Sequence, residues 1–235
     1  MRGPGFRDRD RIYRGSMLNI LHTRQQHSAW DLVTRLGATD GSIGHPHLTQ
    51  LMAPHAPYRD LADAVHVLCD VHGQHPGMAA DAHSYCAQPD ACDWLDEVAA
   101  AFTGERAYLA RLAAAAGPLP STPGQAESEA ALIASRHALE MLARSERRGC
   151  ATGAVAALVL DWTAIRHLLD RAAQRFGVEP PRCMLPRQAA TAASIAHLGS
   201  TPATERAITF GAQQLLAQHR GLWELLDARA HARSA

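Results

Sequence analysis

Residues 150–177, CATGAVAALVLDWTAIRHLLDRAAQRFG, decide the fold. Val155, Leu158, Trp162, Ile165, Leu169 and Phe176 recur at helical spacing and predict a helix over 150–176 with one apolar face. Gly177, followed by Pro180 and Pro181, ends it. The most apolar run, Ala154 to Leu160, is broken by Asp161, far short of the roughly 20 residues a membrane span requires.

The same period extends in both directions. Towards the C-terminus, a short alanine-rich helix is predicted over 187–198. A long one follows over 202–231, with Ile208, Leu215, Leu222 and Leu226 inward. Towards the N-terminus, 125–148 reads as a helix with Ala131, Ala134, Ala138, Met141 and Leu142 inward. Its opposite face carries Glu129, Arg136, Glu140, Arg144 and Arg147 as solvated pairs. The linker GPLPSTPG at 117–124 divides the chain and also suits a helix–helix connection. Before it come predicted helices over 90–116, 78–86 and 58–73, the last with the stripe Leu61, Val65, Leu68 and His72. Residues 37–57, punctuated by glycine and proline, predict a loop with one turn near 47–53. An amphipathic stretch over 17–36 precedes it, stopped by Gly37. Segment 1–16, polar and arginine-rich, predicts a disordered arm.

No alternating β-branched run and no Asn-Gly turn appears. The expected architecture is therefore all-α: an irregular multi-helix bundle of about seven or eight helices over 17–235 around a single core. The 235 residues suffice for such a core without staples.

Composition narrows the function. The 23 basic residues balance 23 acidic ones, so nothing marks a nucleic-acid binder. All 23 are arginines, which excludes Schiff-base lysine chemistry. Five cysteines, an odd number, predict reduced thiols and a cytoplasmic chain.

In a helical sequence the informative residues are the polar ones on apolar stripes, because burying an ionisable group is costly unless it is paired or used. Projection at about 100° per residue leaves His72, Glu105, Asp161 and His219. Four helices each aiming a carboxylate or imidazole inward describe a cofactor pocket for a transition metal or haem. The alternative is structural: a core histidine bonded to a carbonyl, an inward glutamate paired with arginine or histidine.

A second set lies in a histidine-rich stretch, where seven of the 14 histidines fall within 45–83. His72-x2-His75 followed by His83-x2-Cys86 has the donors of a zinc or iron site. Asp63, His66 and Asp70, with Arg59, share a face of the 58–73 helix and predict an ion-paired, solvated surface. No Glu-x-x-His occurs, so a di-iron site of the ferritin kind is not expected. No nucleotide-binding, hydrolase-elbow or H-E-x-x-H motif occurs either.

The size and succession of helices are similar to the ferritin-like and the haem-oxygenase/thiaminase-like bundles, a likeness of architecture that assigns no residue. The stretch HPHLTQLMAPHAPYRDLADAVHVLCDVHGQHPG at 45–77 resembles uncharacterised helical proteins of alphaproteobacteria, which implies no activity. Two functions follow as expectations. One is a metal- or cofactor-binding bundle. The other is a non-enzymatic interaction or regulatory module acting as a homodimer, its alanine-rich faces letting helices approach closely.

Overall fold

Helix Cys150–Phe176 is the axis of the molecule. Its residues are buried around most of its circumference, so it is wrapped by other helices on several sides. The computed structural model describes residues 28–195, 198–199 and 201–234. Among them are nine α-helices and no strand: α1 Ala29–Asp40, α2 Pro46–Met52, α3 Tyr58–His72, α4 Met78–Tyr85, α5 Cys92–Ala116, α6 Gln125–Ala143, α7 Cys150–Phe176, α8 Gln188–Ile195 and α9 Pro202–Ser234. The expected arm at 1–16 and the first part, 17–27, of the expected amphipathic stretch lie outside the described residues.

The closest packing in the bundle is between α7 and α9, and glycine permits it. A Cβ on Gly153 would overlap the Ile208 carbonyl oxygen, and one on Gly211 would overlap that of Cys150. The two backbones therefore touch, which brings inward side chains on both helices within bonding reach of each other. α5 and α3 close the core from another side, where Leu109, Leu112, Leu61, Val65 and Leu68 are buried. Helices on both sides of the 117–124 linker contribute to one apolar core.

Three local expectations are corrected. Gly37 does not stop the first helix; it lies inside α1, where a Cβ would overlap Leu160 of α7. The helix begins at a capping box in which Ser28 Oγ accepts from Asp31 N–H at 3.2 Å and Asp31 accepts from Ser28 N–H at 3.0 Å. Residues 37–57 are also mostly helical, through the end of α1, a 3-10 turn at Ser42–Gly44, and α2.

On α6 the buried stripe is Ser128, Leu132, Ser135, Leu139 and Leu142, while Met141 is 58% exposed and Ala131 and Ala134 face solvent. Counting alanines chose a face about a quarter-turn away. Small side chains fit either side of a helix, and here two serines line the inner one. The charged residues reach across as well as along the helix, where Arg144 pairs with Glu140 one turn back at 2.5 Å. Arg136 bonds Asp70 of α3 at 2.8 Å, and Arg144 bonds Asp81 of α4 at 3.4 Å.

The five thiols are not all free. Cys86 ends α4 in a left-handed turn, and a 3-10 turn at Pro89–Ala91 folds the chain back. Cys92 is thereby brought to a Cα–Cα distance of 5.9 Å from Cys86, and the two form a disulfide. Cys69, Cys150 and Cys183 remain thiols. Among the described residues no helix is long and apolar enough to cross a membrane.

Candidate functional site: a buried polar cluster around Trp162

The contact between α7 and α9 places His219 beside Asp161. His219 Nδ1 donates to Asp161 Oδ2 at 2.6 Å, with both side chains buried. The same carboxylate accepts from Ser42, through N–H at 2.7 Å and Oγ at 2.5 Å. Ser42 Oγ in turn accepts from Trp223 Nε1 at 2.7 Å. Burial alone would push the Asp161 carboxyl up. The bonds from His219 and Ser42 outweigh it and hold the group below the usual carboxylate value. Asp161 is an anchored carboxylate that fixes the orientation of an imidazole.

One residue along α7, Trp162 turns its fully buried indole toward α5, where Nε1 donates to Glu105 Oε2 at 2.9 Å. Arg166 donates to the other oxygen of Glu105 at 2.6 Å, to Asp170 at 2.8 Å and to the Pro181 carbonyl. Its guanidinium lies 4.5 Å from the Tyr108 ring centroid, and Tyr108 donates to Asp170 at 2.9 Å. Burial and the Asp170 bond push the Tyr108 hydroxyl well above its ordinary value. Glu105 is thus a paired core carboxylate.

His72 completes the group from the C-terminus of α3. Its ring stands edge-on to Trp162 at 5.3 Å and to His219 at 5.0 Å between centroids. Burial, and next the neighbouring His219, hold its imidazole well below the ordinary value, so it is neutral. Nε2 of His72 and Nε2 of His219 are both buried without a hydrogen-bond partner. His72 also lines a cleft of about 370 Å³ between the turn after α3, α4 and α6.

Three of the four inward polar residues meet, Asp161 bonding His219 and His72 standing edge-on to His219, while Glu105 pairs with Arg166 and is joined to them through Trp162, which touches His72. A protein-family model, described as a family of unknown function (DUF6975), matches residues 37–234 and takes in every residue of this cluster. The chain belongs to DUF6975. No curated protein and no solved structure matches it. The expected resemblance to an uncharacterised family holds at that level.

The second sequence-derived set does not come together. Cys86 is bonded to Cys92, and His83 faces the Cys92 carbonyl at 3.3 Å and Asp96 at 3.8 Å. His75 is exposed, while His72 is buried at the base of its cleft. Among the described residues no group of three or more His, Cys, Asp or Glu side chains is placed to hold a metal ion. The cis bond at His75-Pro76 and the positive φ of Gly77 turn the chain between the two short-spaced pairs.

The face carrying Asp63 is also corrected, because Asp63 is wholly buried. Arg229 grips it with bonds of 2.8 and 3.0 Å, and Arg233 adds one of 2.6 Å while also holding Asp60 at 2.8 Å. Sequence reasoning missed Arg166, Arg229 and Arg233 as buried partners. The signal was present: Arg229 and Arg233 continue the stripe of His219, Leu222 and Leu226, and Arg166 lies one turn beyond Trp162.

A larger cleft of about 440 Å³ lies between α3, α6 and α9. Its polar walls are already satisfied: His66 on the Gly117 carbonyl at 2.9 Å, Arg136 on Asp70, Arg229 on Asp63 and Gln125. Volume alone does not choose a binding site. Buried polar atoms left without partners do, because a ligand repays their desolvation.

Proposed function

We propose that this DUF6975 chain binds a small organic molecule in the cleft beside His72, with the Asp161–His219 pair holding the base of that site rigid. The observation that carries the reading is the unpartnered, buried Nε2 of His72 on a ring that also lines the cleft. A buried polar atom with no partner calls for an explanation, and of the nine such atoms among the described residues His72 Nε2 belongs to a ring that lines a cleft. The cleft volume of about 370 Å³ falls within the range of small-molecule sites. The cofactor-binding expectation is thereby kept in a narrower form: of the four residues, His72 meets the ligand and Glu105, Asp161 and His219 position what lies behind it.

The test is retention. The purified chain is incubated with a polar metabolite extract and gel-filtered, and the small molecules it carries are identified by mass spectrometry. The reading expects a species held by the wild type and lost in both His72→Phe and Met78→Trp, the latter filling the cleft from its half-buried wall. A wild type that retains nothing the two variants lack overturns it.

A second reading, the homodimeric interaction module, is supported by one observation. Ile133 and Met141 stand 56% and 58% exposed on the outer face of α6, among exposed alanines. Large apolar side chains clustered on one face mark association surfaces. Sedimentation velocity on the wild type and on Ile133→Asp/Met141→Asp tests it: a dimer split by the double substitution supports the reading, and a wild-type monomer overturns it.

A further inference from the structure

The turn from α4 to α5 is closed by the Cys86–Cys92 disulfide, its two cysteines six residues apart. Both are half-buried, and Ser84, Tyr85, Pro89 and Asp90 beside them are exposed. The bond therefore lies at the surface of the bundle, where a thiol in solution can approach it.

The turn is held without the sulfur link. Gln88, between the two cysteines, is buried, and its Nε2 donates to the Leu198 carbonyl at 3.1 Å. Ala79 and Ala82 fix α4 in the core, and Ala91, Trp94 and Leu95 fix the start of α5. Closing so short a loop also removes less entropy from the unfolded chain than closing a long one. The bond is thus a weak candidate for a staple.

Two further features favour its opening. Cys86 holds a left-handed backbone at φ 32°, an unfavourable conformation for a residue with a side chain. The reduced sulfurs would also find a partner in place. The Gln88 carbonyl oxygen stands 3.5 Å from Cys86 Sγ and 3.8 Å from Cys92 Sγ, and a carbonyl accepts from a thiol S–H, which a disulfide lacks.

We propose that Cys86–Cys92 is a reversible thiol–disulfide exchange site whose redox partner is a small monothiol of the glutathione class. A thiolate of the reductant bonds to one cysteine sulfur while the other leaves as a thiolate and takes up a proton. A second reductant thiolate then bonds to the sulfur of the first and releases the remaining cysteine. The protein disulfide gains two electrons and two protons, and two reductant thiols become one disulfide.

The test equilibrates the oxidised full chain, without denaturant, in mixtures of reduced and oxidised glutathione. Free thiols are capped with iodoacetamide, and capping at each cysteine is read by tandem mass spectrometry. Cys86 and Cys92 are expected to pass together from bonded to capped across the series and to return when oxidised glutathione is restored. The helical circular dichroism signal should persist throughout, and in the Cys86→Ser/Cys92→Ser chain as well. A bond that resists excess reduced glutathione until the chain is denatured overturns the proposal. Loss of the helical signal on reduction, or in the double variant, overturns it too, because the bond would then be a staple. So would Cys86 and Cys92 that stay free in oxidised glutathione. Each outcome is independent of whether the His72 cleft binds a ligand.

Discussion

His219 Nδ1 lies 2.6 Å from Asp161 Oδ2, joining two helices whose backbones meet at glycine. This bond ties the polar cluster to the tightest packing in the molecule. Asp161→Ala leaves the His219 Nδ1–H and the Ser42 hydroxyl buried with no acceptor. The expected loss is about 3–5 kcal/mol of unfolding free energy in urea titration. Asp40→Ala removes a pair with Arg220 that is half exposed on both sides, and should cost under about 1 kcal/mol. Equal losses for the two would mean that Asp161 is not the anchored group described.

Arg166 and Glu105 should behave as a unit. Arg166→Met strands a buried carboxylate beneath Trp162, and a loss of about 3–5 kcal/mol is expected. Adding Glu105→Gln removes the stranded charge, so the double variant should be more stable than Arg166→Met alone. A double-mutant cycle by chemical denaturation measures this, and additive losses would show that the two do not interact.

His72 makes stability depend on pH in a defined direction. Its folded imidazole is held well below the ordinary value by burial and by His219. The unfolded chain takes up a proton as pH falls through about 6.5, and the folded chain does not. Stability is full above that pH and falls below it, by up to about 1.4 kcal/mol per pH unit, until the folded value is reached. His45, also lowered by burial, adds a slope of the same sign, so the comparison must be with His72→Phe. Thermal unfolding at pH 7.5 and pH 5.5 should show a smaller drop in the variant than in the wild type. Asp161 acts lower: its depressed value gives stability that is lost only in acid below the usual carboxylate range.

Glycines separate by what surrounds them. Gly153→Ala or Gly211→Ala would drive a methyl group into the facing backbone and force α7 and α9 apart, costing about 1–3 kcal/mol or more. Gly104 and Gly221 lie within helices with nothing near a new Cβ, so alanine there should stabilise by about 0.5–1 kcal/mol. Calorimetric melting of the four variants should split them by sign.

The helical architecture was legible because leucine, valine and tryptophan repeat at helical spacing on α3, α5, α7 and α9. Those side chains are large enough to have only one good place to go. The same projection found His72, Glu105, Asp161 and His219, since a polar residue among large apolar ones stands out. It failed on α6, where alanine dominates and carries little directional information. It also passed over Arg166, Arg229 and Arg233, because arginine is ordinarily a surface residue. Their carboxylate partners lie on other helices, and no helical projection shows what stands opposite. The proximity of Cys86 to Cys92 was hidden for a related reason: it depends on a left-handed turn at a non-glycine residue.

The cleft beside His72 is the proposed ligand site, and crystals of the chain loaded with the polar metabolite extract test it most directly. Density for a small molecule is expected in that cleft, within hydrogen-bonding distance of the His72 ring. Density confined to the larger cleft beside Ile133, or an empty His72 cleft in protein shown by mass spectrometry to carry a ligand, would contradict it.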